Sequence, residues 1–272
     1  MICQICPHHC DLKENQTGIC RARMNIGGTV TCTNYGRLTS LSLDPIEKKP
    51  LVRFYPGSMI LSVGSYGCNL KCQFCQNFGI SMADMTAETV YMSPEVLVAK
   101  AKELVPQGNI GLAFTYNEPL VGYEYVRDCS ILAHENGLKT VLVTNGMICE
   151  QPLKLLLPYI DAMNIDLKGF SEKFYKTVNG DFETVKGTIV TAAKLCHVEV
   201  TTLVIPSEND SETEMEKETE WLSSISPDIP LHISRFFPRY KMLDKQATPI
   251  QTIYKLRDTA LRYLKYVYTG NC

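Results

Sequence analysis

Three cysteines share one short stretch, Cys68-Asn-Leu-Lys-Cys72-Gln-Phe-Cys75, with the spacing C-x3-C-x2-C. Thiolates this close can ligate three irons of a cubane iron–sulfur cluster. No fourth cysteine lies nearby, so one iron would stay open to a small-molecule ligand. Gly64 and Gly67 let the backbone turn tightly at the start of the stretch. Two other readings use these residues less completely. A redox dithiol needs only Cys72 and Cys75 and leaves Cys68 idle. Zinc would need a distant fourth ligand.

A second set precedes it. Cys3-x2-Cys6-x3-Cys10-x9-Cys20 offers four thiols, which suit either a tetrahedral zinc site or a fully ligated second iron–sulfur cluster. Zinc as a folding staple is the plainer reading and an electron-transfer cluster the sharper one. Pro7-His8-His9 lies inside the set, so a histidine can replace one cysteine, and free cysteines are a third reading. Of the remaining cysteines, Cys32, Cys129, Cys149 and Cys196 read as small apolar residues.

These residues need a scaffold. Residues 1–57 look irregular, with short β-like runs near Thr29–Thr33 and Arg37–Ser42. From residue 58 to 272 short apolar runs alternate with helical stretches. Strands are expected at Met59–Val63, Ile110–Phe114, Lys139–Val143, Ala162–Ile165, Val198–Ile205 and Leu231–Ser234, with a short last one at Lys265–Tyr268. Helices are expected at Pro94–Val105, Leu120–Asn136, Gln151–Leu157, Phe182–Leu195, Glu212–Ile225 and Ile250–Tyr263. Ser93 caps the first of these, and Pro94 takes its first position. Non-alternating apolar strands joined by helices predict an α/β fold with a parallel sheet. Six or so repeats are too few to close an eight-stranded barrel, so a partial, TIM-like (β/α)6 barrel is expected. The organisation reads as a Cys-rich segment, 1–57, followed by a core domain, 58–272.

Functional groups in parallel α/β folds gather at the carboxyl ends of strands. Polar residues stand there repeatedly in this chain: Thr115-Tyr-Asn117-Glu118, Thr144-Asn145-Gly146, Asp166-Leu-Lys168-Gly169, Glu199-Val-Thr201-Thr202 and His232-Ile-Ser234-Arg235. Helix caps account for Thr144 or Asn145 taken singly, and an ion pair for Asp166 and Lys168. Five such groups at one edge, beside the cysteine loop, exceed what a scaffold needs.

Tyr66-Gly-Cys68-x3-Cys72-x-Phe74-Cys75-Gln-Asn77 resembles the signature of the radical S-adenosylmethionine (SAM) superfamily. The resemblance implies a [4Fe–4S] cluster on Cys68, Cys72 and Cys75 whose open iron chelates the amino and carboxylate groups of SAM. It also implies reductive cleavage of SAM to a 5′-deoxyadenosyl radical, with no catalytic group beyond the cluster and SAM. The strand-end residues are similar to those of glycyl-radical-enzyme activases of the pyruvate formate-lyase type. That likeness makes Phe74, Asn117, Glu118, Thr144, Asn145, Asp166, Lys168 and His232 the SAM-binding set. Glu118 would accept from the SAM amino group, Lys168 would face its carboxylate and His232 its ribose. Tyr116-Asn117 replaces the activases' Gly-Gly, and Val143 replaces an Asp, so a monovalent-cation site is not implied. The N-terminal cysteine run and His232-Ile-Ser-Arg-Phe-Phe-Pro-Arg-Tyr-Lys-Met242 are similar to the radical SAM member of the AmmeMemoRadiSam group, across essentially the whole chain.

The expected partner is a reductant such as flavodoxin or ferredoxin. A glycine in a protein is one candidate substrate; another protein side chain, RNA or a small molecule are the others. Tyr116, Arg235, Arg239, Tyr240 and Lys241 are candidates for substrate contact. A non-catalytic iron–sulfur or zinc redox module is the reading of another class, and Glu118, Lys168 and His232 argue against it. A net charge of −2 gives no general attraction to nucleic acid or anionic lipid. No apolar run is long enough to span a bilayer. Residues 1–10 lack the pattern of a signal peptide, and twelve cysteines fit a reducing compartment, so a cytoplasmic location is expected.

Overall fold

A computed structural model describes residues 1–272. The chain opens with a hairpin, β1 (Arg23–Ile26) and β2 (Thr29–Cys32), turning on Gly27-Gly28 with both φ angles positive. β3 (Arg37–Leu38) pairs with β6 (Val90–Tyr91). The main sheet contains β4 (Ser40–Pro45), β5 (Met59–Gly64), β7 (Asn109–Phe114), β8 (Lys139–Thr144), β9 (Ala162–Asp166), β10 (His197–Val204), β11 (Leu231–Arg235) and β12 (Val267–Gly270). Its order is β12-β11-β10-β9-β8-β7-β5-β4, parallel throughout except for β4, which runs antiparallel to β5. The two end strands do not meet, so the barrel stays open.

The helices are α1 (Phe78–Ser81), α2 (Pro94–Glu103), α3 (Tyr123–Glu135), α4 (Glu150–Leu156), α5 (Glu172–Thr177), α6 (Phe182–Ala192), α7 (Glu212–Ile225) and α8 (Ile250–Ala260). Ser93, Ser171, Asp181 and Ser211 each cap a helix by accepting a backbone N–H from three residues on. The helix expected at Leu120 starts at Tyr123, because Pro119–Gly122 winds as a 3-10 turn. α5, only six residues long, was not expected. No helix is long and apolar enough to cross a membrane.

Both faces of the sheet are covered, which explains its uninterrupted apolar strands. Leu61, Leu112, Leu142, Met163, Val200 and Ile233 belong to the core shared with the helices. On the other face Ile60, Ala113, Val141 and Ala162 pack against Ile46, Leu51 and Phe54. Residues 46–54 therefore plug the inside of the half-barrel. Asn164 donates to the Pro50 carbonyl (2.8 Å), and the amides of Val52 and Arg53 donate to the buried Glu199 (3.2 and 2.8 Å). The boundary expected at residue 57 thus does not coincide with the sheet. Ser40–Pro45 is one of its strands and residues 46–54 fill its base.

The segment before β3 is fastened to α3 by Arg23. Its guanidinium, 5% exposed, grips Glu124 with two bonds of 2.8 and 2.6 Å. The two-pronged geometry, with the guanidinium buried and Glu124 partly exposed, makes this the firmest tie between the segment and the helix.

Candidate functional site

Because β5 and β7 to β12 run parallel, the loops after them emerge along one edge of the sheet. The loop after β5 carries Cys68, Cys72 and Cys75. Its entry is held by Asn117, whose Oδ1 accepts from the Ser65 amide (3.0 Å) and whose Nδ2 donates to the Tyr66 and Gly67 carbonyls (3.2 and 3.0 Å). Asn117 was expected to bind a cofactor, but here its amide is occupied as a clamp on the cysteine loop. Gly67 has φ +90°, and a Cβ there would lie 2.6 Å from the Cys20 carbonyl, so only glycine suits the position. Downstream, Asn77 donates to the Tyr116 carbonyl (2.7 Å).

Tyr116 adopts φ +73°, the left-handed conformation that a glycine at this position would take without strain. A hydrogen bond from its hydroxyl to Asp44 (2.7 Å) and the Lys49 ammonium 4.8 Å from its ring centre hold it there. Tyr116 therefore faces the Asp44–Lys49 pair.

Glu118 is the hub of the site. It is buried, and three donors reach its carboxylate: Thr144 Oγ1 (2.6 Å), the Leu120 amide (3.0 Å) and the Asn145 amide (2.8 Å). Burial pushes its pKa up to about 7, and these three hydrogen bonds oppose the shift. Oε1 takes two of the donors and Oε2 one, leaving acceptor capacity on Oε2. Asn145 extends the chain of contacts. Its Nδ2 donates to the Asn69 side chain (2.9 Å) and approaches Cys68 Sγ (3.7 Å). The Leu70 amide also points at Cys68 Sγ (3.4 Å). One asparagine thus joins the carboxylate to the cysteine loop.

On the other side, Lys168 Nζ bonds Asp166 Oδ2 (2.7 Å). Burial would discharge this ammonium, but Asp166 and the nearby Cys72 outweigh it and hold the pKa above the ordinary lysine value. Burial likewise pushes the Cys72 thiol up to about 12. Thiolates at such a place need a metal to form. The loop meets this requirement with three sulfurs, N–H groups aimed at one of them, and a cation beside another.

His232 lies in the same row as Thr201 and Asp166, two strands from the latter. Its Nε2 bonds Glu199 Oε2 (2.6 Å), and its ring stacks on Tyr268. Burial works against the Glu199 charge, but His197, His232 and the Arg53 amide overcome it and lower its pKa to about 2. Only His232 Nδ1 is left to meet a ligand. Phe74 is buried, its ring centre 6.3 Å from that of Phe174.

The segment after β11 closes over the cysteine loop. Tyr240 stacks on Phe78 (4.6 Å between centres), and the Lys241 amide donates to the Gln73 carbonyl (2.9 Å). Arg235 Nε donates to the Thr248 carbonyl (2.6 Å). Glu199 was marked by its place in the sequence, but its bond to His232 was not foreseen, and Asn69 and Tyr268 went unrecognised as parts of this region, since nothing in their local sequence marks them.

A profile of the radical SAM superfamily matches residues 62–218. An uncharacterised protein of Methanocaldococcus jannaschii is 42% identical over 274 residues, covering 99% of this chain and 80% of its own length. A putative glycyl-radical enzyme activating enzyme of the same organism is 28% identical over 58% of this chain and 66% of its own length. Among solved structures, a domain of pyruvate-formate lyase-activating enzyme from Bacteroides vulgatus superposes with TM-score 0.52 at 17% identity, over 59% of this chain and 99% of that one. Streptococcus suis SuiB bound to S-adenosylmethionine gives 0.60 at 14% identity, over 78% of this chain and 52% of that one. At these identities the two structures share the fold alone.

Proposed function

Since this chain belongs to the radical SAM superfamily, we propose that it cleaves SAM reductively at a [4Fe–4S] cluster held by Cys68, Cys72 and Cys75. Together the cluster and SAM would supply a 5′-deoxyadenosyl radical that abstracts hydrogen from a substrate carbon. The observation that carries the reading is Asn145, which donates to Glu118 through its backbone and approaches Cys68 Sγ through its side chain. It ties the acceptor for a ligand's amino group to the loop that would hold the metal.

The chain's own residues do the positioning. Oε2 of Glu118 accepts from the SAM amino group, while Thr144 and two amides fix the carboxylate. Lys168, charged and steadied by Asp166, faces the SAM carboxylate. His232, oriented by Glu199, turns Nδ1 to the ribose. Phe74 provides an apolar wall beside Cys75. Asn117 keeps Ser65–Gly67 in the turn that presents the thiols. A low-potential carrier such as flavodoxin or ferredoxin supplies the electron. The activating-enzyme relative makes a glycine in a partner protein the first substrate to test.

The test is anaerobic incubation of the iron- and sulfide-loaded chain with SAM and dithionite, followed by chromatography. Expected products are methionine and 5′-deoxyadenosine, both absent when Cys68, Cys72 and Cys75 are replaced by alanine. A fully loaded chain that forms neither would refute the proposal and favour a non-catalytic redox module.

A further inference from the structure

The four N-terminal cysteines take no part in the site above, yet the fold gathers them. Cys3, Cys6 and Cys20 are buried and Cys10 half-buried, and none forms a disulfide. The Cys3 amide donates to the Cys10 carbonyl (3.0 Å). A Cβ placed on Gly18 would lie 3.7 Å from Cys10 Sγ and 3.8 Å from Cys20 Sγ, so those two sulfurs flank one small space. The His9 amide donates to the Cys6 carbonyl (3.1 Å), and its ring Nδ1 contacts the Cys3 carbonyl (3.3 Å). All four cysteines therefore share one neighbourhood.

That neighbourhood has little else to hold it. Its local apolar cluster is Cys20, Ala22, Tyr66 and Val121, and no helix precedes β1. A bound metal can replace a missing core. Four thiolates suit either a tetrahedral zinc ion or a fully ligated cubane, and the contact with the other cysteine loop favours the cubane. The set also rests on the other cysteine loop. The Cys20 carbonyl accepts from the Cys68 amide (3.2 Å), His8 Nε2 contacts the Asn69 carbonyl (2.8 Å), and Arg21 donates to the Cys68 carbonyl (3.2 Å).

We propose that Cys3, Cys6, Cys10 and Cys20 hold a second iron–sulfur cluster, ligated at every corner and seated on the loop of the first. It rests on the function proposed above only in taking residues 68–75 as the first site. With four thiolates it has no open iron, so SAM cannot chelate it.

The decisive protein is the full chain with Cys68→Ala, Cys72→Ala and Cys75→Ala, loaded anaerobically with iron and sulfide. It should retain about four irons and four sulfides per chain. Its reduced paramagnetic resonance signal should not change when SAM is added. The complementary Cys10→Ser/Cys20→Ser chain should lose those irons and keep a SAM-responsive signal. If the triple variant precipitates, the unaltered chain decides, with about eight irons expected rather than about four. One zinc per chain in the triple variant, or no metal with four titratable thiols, overturns the proposal. A retained second cluster in a chain whose first cluster ignores SAM would instead count against the function proposed above.

Discussion

The two cysteine sets of this protein touch, Cys68 amide to Cys20 carbonyl and His8 ring to Asn69 carbonyl, yet their surroundings differ. The loop at 68–75 has three thiols and lies at a sheet edge, beside a buried carboxylate with spare acceptor capacity and a buried ammonium. The set at 3–20 has four thiols, with backbone carbonyls and apolar side chains around it, and its two neighbouring arginines are already engaged, Arg23 with Glu124 and Arg21 with the Cys68 and Ser81 carbonyls. Three thiols leave a cubane one corner for chemistry, whereas four close it. The charged neighbours differ in the same way: at the loop a carboxylate keeps acceptor capacity to spare, whereas beside the other set both arginines are already paired.

The sharpest way to break this contrast is to remove one thiol from each set. Cys72→Ala should abolish 5′-deoxyadenosine formation, a loss of at least ~10³-fold, since the cluster has no substitute. Cys10→Ser should leave SAM cleavage detectable. Equal loss in both variants, in the anaerobic assay, would erase the distinction between a working site and a supporting one.

Next in size is Glu118→Gln. A hydrogen bond to a charged group contributes about 1.5–3 kcal/mol, so SAM should bind about ten- to a hundredfold more weakly while iron content stays the same. The pH dependence has a definite sign. The folded-state pKa of Glu118 is raised from 4.5 to about 7 by burial. In the SAM-free chain, its stabilising contribution is present in full below the unfolded value and is lost as pH rises through about 7. SAM's amino group donates an N–H to Glu118, and an ionised carboxylate is the stronger acceptor, so SAM affinity should rise over the same interval. Calorimetric titration at pH 6 and pH 8 should show the rise in the native chain and a flat profile in the glutamine variant. A rise that persists in the variant would assign the titration to another group.

How far sequence could foresee this arrangement depends on the range of the interaction. The β-then-α alternation was legible because the central strands bury both faces and α2, α6 and α7 each carry a capping side chain. Ser93 caps α2 as expected, and Glu212–Ile225 is a helix from end to end. The cysteine loop was legible because its ligands are neighbours in the chain. The antiparallel pairing of Ser40–Pro45 and the plug at 46–54 were not, because both depend on partners distant in sequence. The partner of His232 was hidden for the same reason, since Glu199 lies 33 residues away on the next strand. Asn117 shows another limit. Residue type marks it as polar and close to the site, but only the fold shows its amide holding Ser65 and Gly67.

Two smaller changes test whether the sets are mechanically joined. Asn69 sits between them. Its carbonyl contacts His8, its Nδ2 donates to Met147, and its Oδ1 accepts from Asn145. Asn69→Ala leaves the Met147 carbonyl and the Asn145 amide short of a partner in a buried place, at a cost of about 1–3 kcal/mol. Thermal unfolding should register that loss, and iron occupancy at residues 68–75 should fall with it. Unchanged occupancy would mean that the loop holds its shape without the link to Asn145.

Arg21→Ala should have the smallest effect. The guanidinium donates to the Cys68 and Ser81 carbonyls at 3.2 and 2.9 Å, across the start of the loop and the end of α1. Both acceptors lie beside the cysteine loop, so the lost bonds act on its shape rather than on any ligand. Each is worth about 0.5–1.5 kcal/mol net, and water can replace part of that at a half-buried position. The expected result is a slightly lower unfolding midpoint and a SAM affinity within about threefold of the native value. If Arg21→Ala instead matched Glu118→Gln in weakening SAM, the N-terminal segment would be part of the binding site rather than its support, and the division between the two cysteine sets would have to be redrawn around Arg21.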